Sequence, residues 1–122
     1  MKTVAVLFAA LLGAGVFAGE VKDGKITTTC NLSDLGTSYE QVQKYEVAMD
    51  KSVRIGTYRG HVYDLSLFNQ SYSGKTRYQL IISARDEKSN AVIGSASANF
   101  AQEVPELLYQ DGANILLNCM QF

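Results

Sequence analysis

His61 is the only histidine in the chain, and Asp64 and Ser66 follow it within five positions. These are the residue types of a nucleophile triad, in which a hydroxyl attacks, an imidazole moves its proton and a carboxylate orients the ring beside an oxyanion hole. The spacing works against that chemistry. Alternate side chains of a strand face opposite ways, so Asp64 and Ser66 lie on the side away from His61. His61 then reads as a strand-end residue beside a turn, and an enzyme would need a pocket joining it to some other carboxylate or hydroxyl. Paired carboxylates for glycoside hydrolysis need one acid in an apolar setting, and only Glu103 and Glu106, around Val104 and Pro105, approach that description. One histidine and two cysteines that a bridge would consume leave no transition-metal site, and no aspartates are spaced for calcium. The expectation is a non-enzymatic protein with no catalytic residues, no metal and no cofactor.

Recognition chemistry is better represented. All seven tyrosines lie after residue 18, and the chain has no tryptophan. Several tyrosines adjoin arginine, as in Tyr58-Arg59 and Arg77-Tyr78. Tyrosine offers a large rigid contact area with a polar tip and arginine a planar fork, and both are favoured at binding surfaces. The candidate binding residues are Tyr58, Arg59, Tyr72, Ser73, Lys75, Arg77 and Tyr78. Tyrosines also fill sheet faces that bind nothing, which is the competing explanation.

The elements that must position these residues are short strands. Ile26, Thr28, Cys30 and Leu32 alternate with polar neighbours, predicting a first strand over 25–32. A polar loop over 33–41 follows, in which Ser38 and Gln41 also fit a short helix cap. Tyr45, Val47 and Met49 mark a second strand. In a third, Val53, Ile55 and Thr57 oppose Arg54, Gly56 and Tyr58. A fourth spans 61–69 with Tyr63, Leu65 and Leu67 on one face, and a polar loop covers 70–76. Tyr78, Leu80, Ile82 and Ala84 carry a fifth, and 91–101 is a sixth whose small residues leave room for a close neighbour. A short seventh strand over 107–109 reaches the Asp111-Gly112 turn signal and a last strand with Ile115, Leu117 and Cys119 on one side. Eight strands with short connections predict an antiparallel all-β domain.

Cys30 and Cys119 are the only cysteines. In an exported chain they are expected to pair, which brings the first and last strands together because bridged Cα atoms lie within about 7 Å. A bond between terminal strands favours a small closed or nearly closed barrel; a two-sheet β-sandwich is the alternative.

Export itself is read from the start of the chain. Lys2, the apolar run 4–12 and small residues around 13–19 form a secretory signal with cleavage after Ala18. The uncharged run is short of the roughly 20 residues a spanning helix needs. The expectation is therefore a signal peptide over 1–18 and a single β domain over 19–122, periplasmic or secreted and not membrane-spanning. Without Lys2, ten basic and twelve acidic side chains leave a net charge of −2, which gives no general attraction to nucleic acid.

The stretch Ser73 to Tyr78, SGKTRY, resembles the periplasmic inhibitors of c-type lysozymes. Those are small disulfide-bonded barrels that place a Ser-Gly-containing loop in the enzyme's cleft. The resemblance implies Ser73 and a neighbouring Lys75 or Arg77 as inserting groups. It covers six residues, with one extra before the tyrosine, and does not assign the chain to that family. Three partner classes follow: an unknown protein or small ligand met by loops or a Tyr/Arg face; a cell-wall-degrading enzyme met by the 70–77 loop; and, for a lipocalin-like carrier, an apolar ligand inside the barrel.

Overall fold

The computed structural model describes residues 20–120, so the expected signal peptide over 1–18 and its expected cleavage site lie outside the described residues. Eight strands follow one another: β1 (Lys25–Asp34), β2 (Glu40–Ala48), β3 (Lys51–Tyr58), β4 (His61–Asn69), β5 (Tyr78–Asp86), β6 (Val92–Phe100), β7 (Leu107–Asp111) and β8 (Ile115–Met120). They form two four-stranded antiparallel sheets. Sheet 1 has the order β2-β1-β8-β7 and sheet 2 the order β3-β4-β5-β6.

Alternation decides which side chains are covered. In β1, Ile26, Thr28, Cys30, Leu32 and Asp34 are buried while the residues between them are more exposed. Tyr63, Leu65 and Leu67 of β4 and Leu80, Ile82 and Ala84 of β5 are fully buried on the facing side. Val47, Leu107, Leu117 and Cys119 join them in one core shared by both sheets. Each fully buried aliphatic side chain contributes about 1.5–3 kcal/mol relative to exposure, so the core holds the two sheets together.

The expected closed barrel is not what the strands form. Hydrogen-bonded pairing stops between β2 and β3 and between β6 and β7, leaving two sheets that are compatible with a sandwich. The bridge requires only that β1 and β8 be neighbours, and they are: Cys30 and Cys119 face each other in register, with Cα atoms 4.0 Å apart and a disulfide between them. Both strands are central in sheet 1, so the bond staples one sheet internally instead of closing a cylinder.

Side chains occupy the two seams where backbone pairing ends. In the 49–50 turn, the Met49 amide donates to Gly24 O at 2.7 Å and the Asp50 amide to Leu67 O at 2.7 Å, so its bonds divide between the sheets. A bulge between Arg54 and Gly56 then turns the Ile55 carbonyl toward β2. That carbonyl accepts from Tyr45 Oη at 2.7 Å and Gln41 Nε2 at 2.9 Å, satisfying an edge group that water would otherwise hold. At the other seam the Tyr109 hydroxyl lies against Gly94, where an added Cβ would collide with it.

Local departures from the sequence pattern have local causes. The bulge resets the alternation of β3, so Thr57 faces solvent and Tyr58 turns inward. β2 begins at Glu40, well before Tyr45, because its first half is an edge segment without a buried face to pattern it. Between β1 and β2 the chain makes a turn, in keeping with the loop reading and not with the alternative helix cap at Ser38: Thr37 N donates to Asp34 O at 3.0 Å and Tyr39 N to Thr37 Oγ1 at 3.1 Å.

Replacing both cysteines with serine should lower unfolding free energy by about 4 to 5 kcal/mol, the entropy of an 89-residue separation. Urea titration of oxidised and variant protein checks this, and matching midpoints would contradict it. Gly94→Ala should cost about 1–3 kcal/mol by displacing Tyr109, and the same titration should show Gly94→Ala recovering when combined with Tyr109→Leu.

Candidate functional site

Odd-numbered strands end at one pole of the molecule and even-numbered strands at the other. The 35–39, 59–60, 87–91 and 112–114 connections share the first pole, as Leu35 N donating to Asn114 O and Glu87 N to Gly60 O demonstrate. The 49–50, 70–77 and 101–106 connections share the second. The nine residues of β4 separate Tyr58 and Arg59 from Tyr72, Ser73, Lys75, Arg77 and Tyr78 by roughly 27 Å at 3.4 Å per residue. The candidate binding residues thus fall into two groups at opposite poles and do not share one face.

At the first pole, the inward turn of Tyr58 carries its hydroxyl to Asp34 Oδ2, 2.7 Å away on sheet 1. Tyr39 stacks on Tyr58 with ring centroids 4.1 Å apart, and the Arg59 guanidinium lies 5.7 Å from the Tyr58 ring. Gly36 N also donates to Asp34 Oδ1 at 2.9 Å. The Tyr58 hydroxyl, the Gly36 amide and the Arg59 charge together hold the Asp34 carboxyl below the ordinary carboxylate value against the opposing effect of burial.

The same hairpin clips the sheets together a second time. His61 Nδ1 lies 2.6 Å from Asp111 Oδ2, and Tyr63 Oη donates to that oxygen at 2.7 Å. Asp34, Ile115 and Asp111 lie in one row of sheet 1, and Tyr58 and His61 are paired opposite them on sheet 2. Two strand spacings put these carboxylates roughly 10 Å apart.

Neither arrangement matches the carboxylate pair or the nucleophile triad considered from the sequence. A general acid of a carboxylate pair needs its pKa raised, and Asp34 is shifted the other way. His61 does meet a carboxylate and, through it, a hydroxyl. That hydroxyl, Tyr63, is fully buried, and burial followed by its bond to Asp111 raises its pKa above the ordinary phenol value, which keeps it a donor and no nucleophile. Among the described residues, no hydroxyl or thiol is hydrogen-bonded to Nε2 of His61. What the geometry does is join β3–β4 to β1 and β7. Sequence reasoning missed Asp34, Tyr39, Tyr63 and Asp111 as members of this group, since their partners lie up to 50 positions away.

At the second pole, residues 70–77 extend the β4–β5 hairpin past its last paired residues, Asn69 and Tyr78. Gln70 N donates to Arg77 O at 2.8 Å, and Tyr72 and Lys75 exchange backbone bonds of 3.1 and 2.8 Å. Ser73 and Gly74 both have positive φ, 48° and 76°, the conformation of a type I′ turn. Ser73, Lys75 and Arg77 are exposed, as is Tyr72 at 59%. Tyr78 instead packs on Phe100, 5.4 Å between centroids, so it anchors the base of the loop.

A third polar group lies on the outer face of sheet 2, where Arg54 and Arg85 flank Asp64. Among the described residues, no three His, Cys, Asp or Glu side chains come together to hold a metal ion. Comparison of the chain with protein-family models, curated proteins and solved structures found no match.

Because Asp34 has a depressed pKa in the folded chain, it contributes stability above its unfolded value of about 4, which is lost as pH falls through the lower folded value. Tyr58→Phe removes the largest cause of the depression and should flatten the fall in urea midpoint between about pH 7 and about pH 3. An unchanged fall would show that Tyr58 does not set the carboxyl's state.

Proposed function

We propose that the chain is an exported, non-enzymatic binding protein that engages a cell-wall-degrading enzyme by inserting the 70–77 hairpin tip into its cleft. The observation that carries this is the hairpin itself: exposed, hydrogen-bonded across its own base, and extended beyond the sheet. A loop already held in one conformation loses less entropy on binding than a loose one. The charge also suits the target. Glycoside hydrolases set two carboxylates beside the bond they cut, and Lys75 and Arg77 form no ion pair among the described residues. Ser73 and Gly74 make the narrow tip between them.

Export is supported by the Cys30–Cys119 disulfide, which persists in an oxidising compartment. No described helix is long and apolar enough to cross a membrane. Carriage of an interior ligand is not part of this proposal, since Leu65, Leu80, Ile82, Phe100 and Leu117 are buried together in the core.

The mature protein at about 10 μM should slow hydrolysis of cell walls by a c-type lysozyme, a concentration that captures micromolar complexes. Arg77→Ala and Ser73→Gly, the latter chosen because glycine tolerates the positive φ, should each reduce the inhibition. An undiminished rate with wild-type protein would refute the proposal.

A further inference from the structure

The outer face of sheet 2 holds an open depression of about 470 Å³ over β3, β4 and β5. Its lining includes Ser52 and Arg54 of β3, Asp64 and Ser66 of β4, and Ser83 and Arg85 of β5. We propose that this depression binds a small ligand through a carboxylate or phosphate group placed between Arg54 and Arg85.

The register builds the site. Arg54, Asp64 and Ser83 are consecutive partners across the sheet, as are Ser52 and Ser66 in the next row. Long or branched side chains at outward positions of a sheet cover the neighbouring strand. Here three of the outward positions are serine, which leaves a hollow with arginines at its rim. Asp64 anchors both arginines: Arg54 Nε donates to Oδ1 at 3.0 Å and Arg85 Nη2 donates to Oδ2. Arg85 is held further by donating through Nη1 to Asn90 Oδ1.

Charge and donor count identify the ligand's chemistry. Two guanidiniums share one carboxylate, so the group carries one excess positive charge. Both Asp64 oxygens are engaged. Of the five N–H donors on each guanidinium, Arg54 uses one on this carboxylate, and its side chain is 57% exposed against 12% for Asp64. Ser52 and Ser66 share a hydrogen bond of 2.6 Å, and one hydroxyl proton of that pair remains to donate outward. Donors exceed acceptors around the hollow. The complementary ligand is anionic and rich in acceptors, and planar arginine forks recognise carboxylate and phosphate in two-pronged fashion. This site lies on a sheet face, distinct from the 70–77 hairpin, so its occupancy does not depend on the proposed inhibition.

The test is a two-dimensional amide and arginine side-chain NMR titration of the mature, oxidised protein at fixed ionic strength. Inorganic phosphate, glucuronate and uncharged glucose are the three probes. Saturable shifts of the Ser52, Ser66 and Ser83 amides and the Arg54 and Arg85 Nε–H signals are expected with millimolar phosphate, glucuronate or both, and the probe that binds identifies which oxyanion suits the hollow. Arg54→Gln should weaken that binding about tenfold, the worth of a charged hydrogen bond. Ser83→Val, which leaves the arginine–aspartate triad intact and fills the hollow, should abolish it. Equal shifts with glucose, binding unchanged in Ser83→Val, or no saturation by about 20 mM of either anion would overturn the proposal, since weaker association is no specific site.

Discussion

The antiparallel pairing of β1 with β8 is the contact on which the remaining structure depends. It places the two ends of the described chain side by side in the middle of sheet 1, with Cys30 and Cys119 directly opposed. β2 and β7 attach to the outer edges of that pair. Sheet 1 therefore cannot exist until the chain has come full circle, and the bridge makes that long-range closure permanent by removing most open conformations of the unfolded chain. Sheet 2, built from four consecutive strands, needs no such closure.

Where the sheets meet, the chain uses side chains in place of backbone ladders. Tyr45 and Gln41 hold the Ile55 carbonyl at one seam, and Tyr109 covers Gly94 at the other. Tyr58, His61 and Tyr63 link the pole to Asp34 and Asp111. Much of the tyrosine content, which by sequence alone suggests a binding surface, is thus spent on joining two sheets. Tyr72 is the exposed exception.

Strand alternation made β1, β5 and β8 legible, because one face of each is the more buried and period-two patterning follows; β4 is covered on both faces from Val62 to Leu67, and polar Asp64 and Ser66 set between Tyr63, Leu65 and Leu67 kept its period readable. The bridge between Cys30 and Cys119 was legible by elimination, since neither had another partner. The start of β2 was hidden by an edge strand with no buried face there, and the inward turn of Tyr58 by a bulge whose one sequence signal is Gly56 inside the strand, which does not say how the alternation resets. Whether the sheets close was also illegible: a bond between terminal strands is equally satisfied within one sheet. The clusters around Asp34, Asp111 and Asp64 depend on partners 10 to 50 positions apart, a separation that spacing rules do not see. The exposed 70–77 loop could be located from its polar residues, while its hydrogen-bonded form could not.

Recognition is left to what the framework does not consume: a hairpin tip at one pole and a polar hollow on one face. Both hold their shape only if the two sheets do. Hydrogen exchange of the oxidised protein tests that premise most directly, because amides in the central strands should open only with global unfolding. The amides of Leu32 and Leu117 should exchange as slowly as those of Leu65 and Ile82. Rapid exchange throughout β8, with β4 and β5 still protected, would show that the terminal strands are not the centre of a stable sheet.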